Sequence, residues 1–395
     1  GLSGSGTVAL GAGTLTLNQA TDTHFDGHIS GSGALIKGGP GSLELVSPQS
    51  FSGGLEINGG VVRLMTTAAS GSGSVNVNLD GTLHSNASQS MAITLGGGTI
   101  SSGIPVATQV YTSGNLQVTA ASTVNLFDGA NAFTNGEVSI TGVLSGAGNI
   151  DVMAGPGVAG ANSGPAFRLR NVTSPSTYTG RITVGQSAKL ELRSNGTFSS
   201  GGQAQLEFIA GAHFGTGDGT YSQLTLRTAA SANYGHDIEV TGTGAVNFDI
   251  GALTGGTDQA HQFNNLRLGG GQRILLNGGN ATHTLAFDTV TLTSGIAEFA
   301  PIDPLFGTSG GKLALGAINE LSPDSGLLMN GSGILTLAGV AAHTGRTLLE
   351  NGTMVVSGSI NGSSGIEVTG RELRLLGSIE GLGSRTQAGS SLLVM

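Results

Sequence analysis

Short runs in which every second residue is apolar recur along the chain: Leu43 and Leu45; Val75, Val77 and Leu79; Ile93 and Leu95; Leu116 and Val118; Val138 and Ile140; Ile182 and Val184; Leu190 and Leu192; Leu224 and Leu226; Leu335 and Leu337; Leu373 and Leu375. A period of two is strand periodicity, with one face turned inward and the other outward. Thr, Ser, Asn and Gln fill many of the outward places. The runs end at Gly, Asn-Gly or Asp-Gly, residues that accept the positive φ of a sharp corner. Helical spacing is nowhere sustained, and residues 316–322, Gly-Ala-Ile-Asn-Glu-Leu-Ser, are expected to form at most one turn.

Many short strands close into a barrel or sandwich, or stack as a solenoid, and internal repetition decides between them. An aromatic residue or His, then a small polar residue, then Gly or Asn, recurs at Phe25-Asp26-Gly27, Phe51-Ser52-Gly53, Phe133-Thr134-Asn135, Tyr178-Thr179-Gly180, Phe263-Asn264-Asn265 and His343-Thr344-Gly345. The separations are near multiples of a coil of about 20–22 residues, within the range of solenoid repeats. The expected fold is all-β: a right-handed parallel β-helix running as one unit through residues 1–395, with about 18–20 coils rising about 4.8 Å each.

Composition fits this architecture. Glycine supplies 71 of 395 residues without a Gly-X-Y period, which excludes a collagen helix. A 38% apolar share with only 10% charged residues is the make-up of a chain that buries surface, not of a flexible linker. Residues stacked at coil spacing repel when they carry like charges, so Thr, Ser and Asn are favoured outside. A net charge of −9 offers no basic stripe to a phosphate backbone, which excludes nucleic acid as a partner. Cysteine is absent, removing disulfides and thiolate chemistry together. No run of 18 apolar residues is present to span a bilayer as a helix. The chain opens at Gly1 without an initiator Met or leader, as expected where a signal peptide has been cut or lies outside the sequence.

Residues 31–64 carry Gly31, Gly33, Leu35, Lys37, Gly39, Gly41, Leu43 and Leu45, then Phe51, Gly53, Gly54, Asn58, Gly59, Gly60 and Leu64. This stretch resembles the autotransporter-associated β-strand repeat, also called the passenger-associated transport repeat. A shortened second copy occupies 331–356, with His343 in the aromatic place, and residues 176–192 keep Tyr178-Thr179-Gly180. The resemblance implies a bacterial β-helix that is secreted or displayed at the cell surface, and it brings no catalytic residues or cofactor. It also implies that only passenger sequence is present, since four Tyr and no Trp cannot furnish the aromatic girdles of an outer-membrane barrel.

Candidate chemistry is sparse. Asp22, His24, Asp26 and His28 alternate on one strand, but strand neighbours of one face lie about 6.8 Å apart, too far for all four to reach one metal ion. Asp218, in Gly-Thr-Gly-Asp-Gly-Thr, stands in a single copy of a calcium-repeat-like motif that works only in series. Arg168 with Arg170 and Arg371 with Arg374 are the nearest basic pairs, and seven Asn-x-Ser/Thr sequons begin at Asn86, Asn171, Asn195, Asn280, Asn330, Asn351 and Asn361. No cofactor or metal site is expected.

The leading expectation is therefore a noncatalytic extracellular structural protein, a surface fibre, stalk or adhesin segment. The alternatives are a β-helical polysaccharide-degrading enzyme and a carbohydrate-binding adhesin, with host or matrix glycans as partners. Leu2, Gly4 and Gly6 stand in the same phase of the repeat as Ile379, Gly381 and Gly383. Copies of the chain are accordingly expected to meet head to tail, through Leu2, Val8, Leu10, Leu15 and Leu17 of one and Ile379, Leu392, Leu393 and Val394 of the next.

Overall fold

The computed structural model describes the chain except residues 103–110, 127–136, 155–165, 171–175, 194–203, 215–217, 229, 253–258, 279–282, 302–310, 370–371, 382, 384, 388–391 and 395. The chain forms two compact units, one of Gly1–Val158, Asn162–Leu190 and Gly201–Gln203, the other of Ala159–Ala161, Glu191–Ser200 and Ala204–Met395. Apart from the small antiparallel pair His213–Phe214 and Asp218–Gly219, the paired strands described run parallel. Each unit is a parallel β-helix.

Parallel neighbours require a long crossover, and here the crossover is the rest of the coil. In the first unit a column of parallel strands passes through Thr23–Phe25, Ser42–Leu45, Gly60–Leu64, Gly81–Ser85, Thr99–Ser102, Ser122–Asn125, Ile150–Met153 and Arg181–Val184. A second face stacks Leu15, Leu35, Leu55, Val75, Ile93, Leu116 and Leu144 in register. In the second unit one column passes through Gln205–Ala210, Asp237–Gly242, Ala260–Leu268, Thr284–Leu292, Lys312–Glu320, Val340–Ala342, Ser359–Asn361 and Ser378–Glu380. Long strands there turn corners without breaking: Gly326–Leu337 pairs with Ile296–Phe299 through its first half and with Lys312–Leu315 through its second.

Among the described residues each of these two long columns passes through eight strands, and in the first unit Gly4, bridged to Phe25, belongs to one further coil. Leu15, Leu35, Leu55 and Val75 are 20 residues apart, but the next steps to Ile93, Leu116 and Leu144 are 18, 23 and 28. The strands keep their register while the length of the coil varies.

The inward places hold the core. Leu43, Leu45, Val75, Val77, Leu335 and Leu337 are all 0% exposed, and full burial of such a side chain contributes about 1.5–3 kcal/mol. Leu79 departs from the expected pattern and is exposed, because the strand ends at Asn78 and Asp80 turns the chain with a φ of 66°. Residues 316–320 form strand, not a helical turn, since Ile318 stacks between Val290 and Ala341 and is fully buried. In the second unit an aromatic ladder runs inside: the rings of Tyr234 and Phe263 stack at 4.7 Å and those of Phe263 and Phe287 at 6.1 Å.

Two local devices explain the repeat motif. In Tyr178-Thr179-Gly180 the ring folds beneath its own corner, and the hydroxyl oxygen lies 2.6 Å from the Gly148 carbonyl oxygen and 2.9 Å from that of Arg181. A Cβ at position 180 would stand 2.6 Å from that hydroxyl, and one at Gly27 would stand 2.4 Å from the Phe25 ring, so glycine is required at these two positions. Lys37 takes an inward place between Leu17 and Ile57 and is fully buried. Its ammonium donates to the carbonyl oxygens of Gly38, Gly39 and Gly59 at 2.9, 2.9 and 3.1 Å. Burial lowers its pKa from the ordinary lysine value, with Asp22 acting in the opposite direction.

Candidate functional site

The alternating row Asp22, His24, Asp26 and His28 does not converge. His24 meets Asp26 through Nε2 at 2.9 Å and Glu44 of the next coil through Nδ1 at 3.2 Å, which places the two carboxylates on opposite sides of one ring. Asp22 accepts from the Ser42 amide, and His28 contacts the Pro48 carbonyl and the Ser50 hydroxyl. No group of three or more metal-ligating side chains gathers among the described residues. Asp218 lies in the two-residue antiparallel pair. Of the sequons, Asn86 contacts His84, Asn330 donates to Glu298 and stacks on Asn351, and Asn171, Asn195 and Asn280 lie outside the described residues.

The outward faces carry ladders that bond from coil to coil. Asn78 donates to Asn58 at 2.7 Å and Asn58 to Glu56 at 2.9 Å, while the hydroxyls of Thr289 and Thr291 share the Asn265 carbonyl at 2.9 and 3.0 Å. Charged residues are few, and register sets several of them against opposite charge, although Glu207 lies against Glu239. His24, Glu44, Arg63 and His84 follow one another up a column of the first unit, and Glu239 lies under Arg267 and Arg273 under Glu298 in the second. Glu137 sits between Arg168 and Arg170, Arg227 holds the buried Asp249, and Arg193 holds the buried Glu191. Arg374 pairs with Glu372, and Arg371 lies outside the described residues. These columns are not visible along the sequence, because they exist only once coils of unequal length are aligned.

The residues assigned to end contacts are placed as follows. Leu2, Val8, Leu10, Leu15 and Leu17 are half-buried, whereas Ile29 and Leu35, one coil above Val8 and Leu15, are 0% exposed. Ile379 is half-buried and stacks on Ile360. The strand Leu392–Val394 pairs with Glu372–Arg374, and its side chains lie outside the described residues.

The first unit also carries a cleft of about 640 Å³. It forms at one corner of the coil, where the connection between strands shortens. Residues 65–74 make this corner in one coil and residues 86–92, three fewer, make it in the next. The shorter corner recedes and forms the floor, with the 67–72 segment as one wall and Gly114 and Thr141 opposite. Both walls are pinned. Gln89 Nε2 donates to the Thr66 carbonyl at 2.8 Å, and the Gly114 amide donates to the Met91 carbonyl at 2.8 Å.

Comparison with known proteins agrees with the repeat geometry. The passenger-associated transport repeat family matches residues 35–64 and 327–356, one stretch in each unit. The adhesin BmaC autotransporter of Brucella suis biovar 1 is 27% identical over 381 residues, covering 88% of this chain. The chain spans 11% of that relative's length. No solved structure matches. The chain thus carries two stretches of the passenger-associated transport repeat, one in each unit and each folded into stacked parallel coils, and its similarity to an autotransporter adhesin extends across both units, in accord with secretion or display at the bacterial cell surface.

Proposed function

We propose that the chain is a noncatalytic, adhesin-like segment of an autotransporter passenger, whose outward faces meet an extracellular partner. The similarity to an adhesin over 88% of the chain carries this reading. The side-chain chemistry supports it. A glycosidase uses two carboxylates flanking the scissile bond, one as acid and one as base or nucleophile. Among the described residues the buried carboxylates, Asp249 and Glu191, are each held by an arginine.

Display of the chain on a non-adherent bacterium is expected to raise attachment to host-cell monolayers and matrix-coated surfaces above that of the empty display scaffold. Attachment at the scaffold level would overturn the adhesin reading. Release of reducing or unsaturated sugar ends from polysaccharides by the purified chain would put the enzyme in its place.

Within that reading, the finer proposal is that copies stack end to end. The shared repeat phase of Leu2, Gly4 and Gly6 with Ile379, Gly381 and Gly383 supports it. Light scattering and electron microscopy of the chain with and without residues 377–395 test this. Filaments that vanish on deletion are expected; monodisperse monomers, or fibres indifferent to the deletion, would refute it.

A further inference from the structure

The cleft of the first unit stands apart from the repeat motif and from the ladders, and its lining differs in chemistry from both. We propose that it is a binding site for a short, uncharged oligosaccharide. The proposal rests on the adhesin reading above and specifies what one part of the surface takes.

Three observations point to this ligand class. The volume of about 640 Å³ lies within the range of small-molecule sites, which run from about 300 to 1,000 Å³. The lining is uncharged: hydroxyls of Thr67, Ser72, Ser88, Ser90 and Thr141 line it, and no Asp, Glu, Lys or Arg is among its residues. An anionic or cationic ligand would lose hydration there and gain no counter-charge. The lining sets hydroxyl side chains among apolar surface from Ala68 and Met91, which favours a ligand that carries both hydrogen-bonding groups and apolar faces. A polyol offers donors and acceptors in equal measure, which is what hydroxyl side chains, each both donor and acceptor, can satisfy.

The third observation is rigidity. The floor and walls are tied by the backbone and side-chain bonds of Gln89 and Gly114, and the 67–72 wall is fixed below by the bond from the Gln49 amide to the Ala68 carbonyl at 3.0 Å. The cleft therefore exists before the ligand arrives, and little ordering is needed on binding. Met91 supplies an apolar side chain among the hydroxyls, suited to the C–H face of a sugar ring.

The test uses the purified chain on a glycan array carrying neutral, sialylated and sulfated oligosaccharides, followed by calorimetric titration of the strongest neutral binder. Binding of a neutral oligosaccharide is expected, with little change as salt rises from about 0.1 to 1 M, because no ion pair is involved. Ser90→Trp and Ser72→Trp change exposed positions on the floor and one wall, so each fills the cleft from outside the core. Each is expected to weaken binding by about tenfold or more while leaving the far-ultraviolet circular dichroism unchanged. In the wild-type chain the methyl resonance of Met91 is expected to shift on titration, a readout that needs no variant. Absence of neutral binding, binding confined to charged glycans and abolished by salt, equal binding by both folded variants, or a stationary Met91 resonance would each overturn the proposal. The adhesin reading fails separately: a chain that binds the oligosaccharide and confers no attachment loses that reading alone. Attachment undiminished by Ser90→Trp or Ser72→Trp, from a chain that binds no neutral glycan, overturns only the cleft.

Discussion

His24 and His261 place the same imidazole in opposite surroundings. His24 is exposed and lies between two carboxylates, and the hydrogen bond to Glu44, then that to Asp26, raises its pKa above the ordinary 6.5. His261 is 0% exposed inside the second unit, near the ring of Tyr234, and neither ring nitrogen has a hydrogen-bond partner. Burial, then the neighbouring His283, lowers its pKa to about 4. The stability consequences have opposite signs. The His24 pair acts at low pH and fades as pH rises through its raised pKa. Above the unfolded value of 6.5 His261 is neutral in both states and adds no pH-dependent cost, and the second unit loses up to about 3 kcal/mol as pH falls from there towards 4. Histidine resonances followed by NMR across this range are expected to show His24 titrating above 6.5 and His261 below it. A His261 that titrates at or above 6.5 while the second unit stays folded would contradict the buried, unpartnered placement.

At the scale of the strand and its corner, glycine is required by contact with the coil next door. Gly316, Gly339, Gly358 and Gly377 form a column in the second unit, in which a Cβ at Gly358 would stand 2.0 Å from the Gly339 carbonyl oxygen and one at Gly377 would stand 1.7 Å from that of Gly358. Backbone on both sides cannot yield by that much. Gly358→Ala is expected to cost about 3 kcal/mol or more in chemical denaturation, as severe overpacking does, whereas Gly6→Ala, with open space around its Cβ, is expected to be nearly neutral. Equal stability of the two variants would refute the column. Much of this was legible in the sequence, because alternation and corner residues act locally: Leu43, Leu45, Leu335 and Leu337 are inward as their period demands. The period failed where a corner intervened, at Leu79, and where a second layer lies outside the sheet. Tyr221, Ala245, Leu275 and Ala300 form a separate buried cluster, with Leu275 at the parity opposite to Ile274 and Leu276. The cleft and the opposite-charge columns were illegible for one reason. Both depend on which residue lies above which, and corners of seven and ten residues conceal that alignment in a linear reading.

Each coil touches mainly the coils before and after it, so stability in a solenoid is a sum of coil and interface contributions. The first unit makes an unusual comparison available. Leu15, Leu35 and Leu55 are in register at intervals of 20 residues, so removal of residues 35–54 brings Leu55 onto Leu15 and Ile57 onto Leu17, apolar on apolar. The inward set survives intact, minus one coil and the Lys37 clamp. Removal of Asn76 alone is different, because it lies inside a strand between Val75 and Val77, both fully buried. A one-residue slip there turns Val77 outward or draws Asn78 inward, and the neighbouring strands Leu55–Ile57 and Ile93–Gly96 hold the register on both sides. Burying an unmatched amide or exposing the valine costs about 1–3 kcal/mol for each position changed, and the whole remaining strand is affected. The loss of twenty residues is therefore expected to leave a cooperative thermal transition by circular dichroism, and the loss of one to lower that transition further or abolish it. A coil deletion more damaging than the deletion of Asn76 would show that the first unit is held by contacts reaching beyond neighbouring coils, and the solenoid account of its stability would fail.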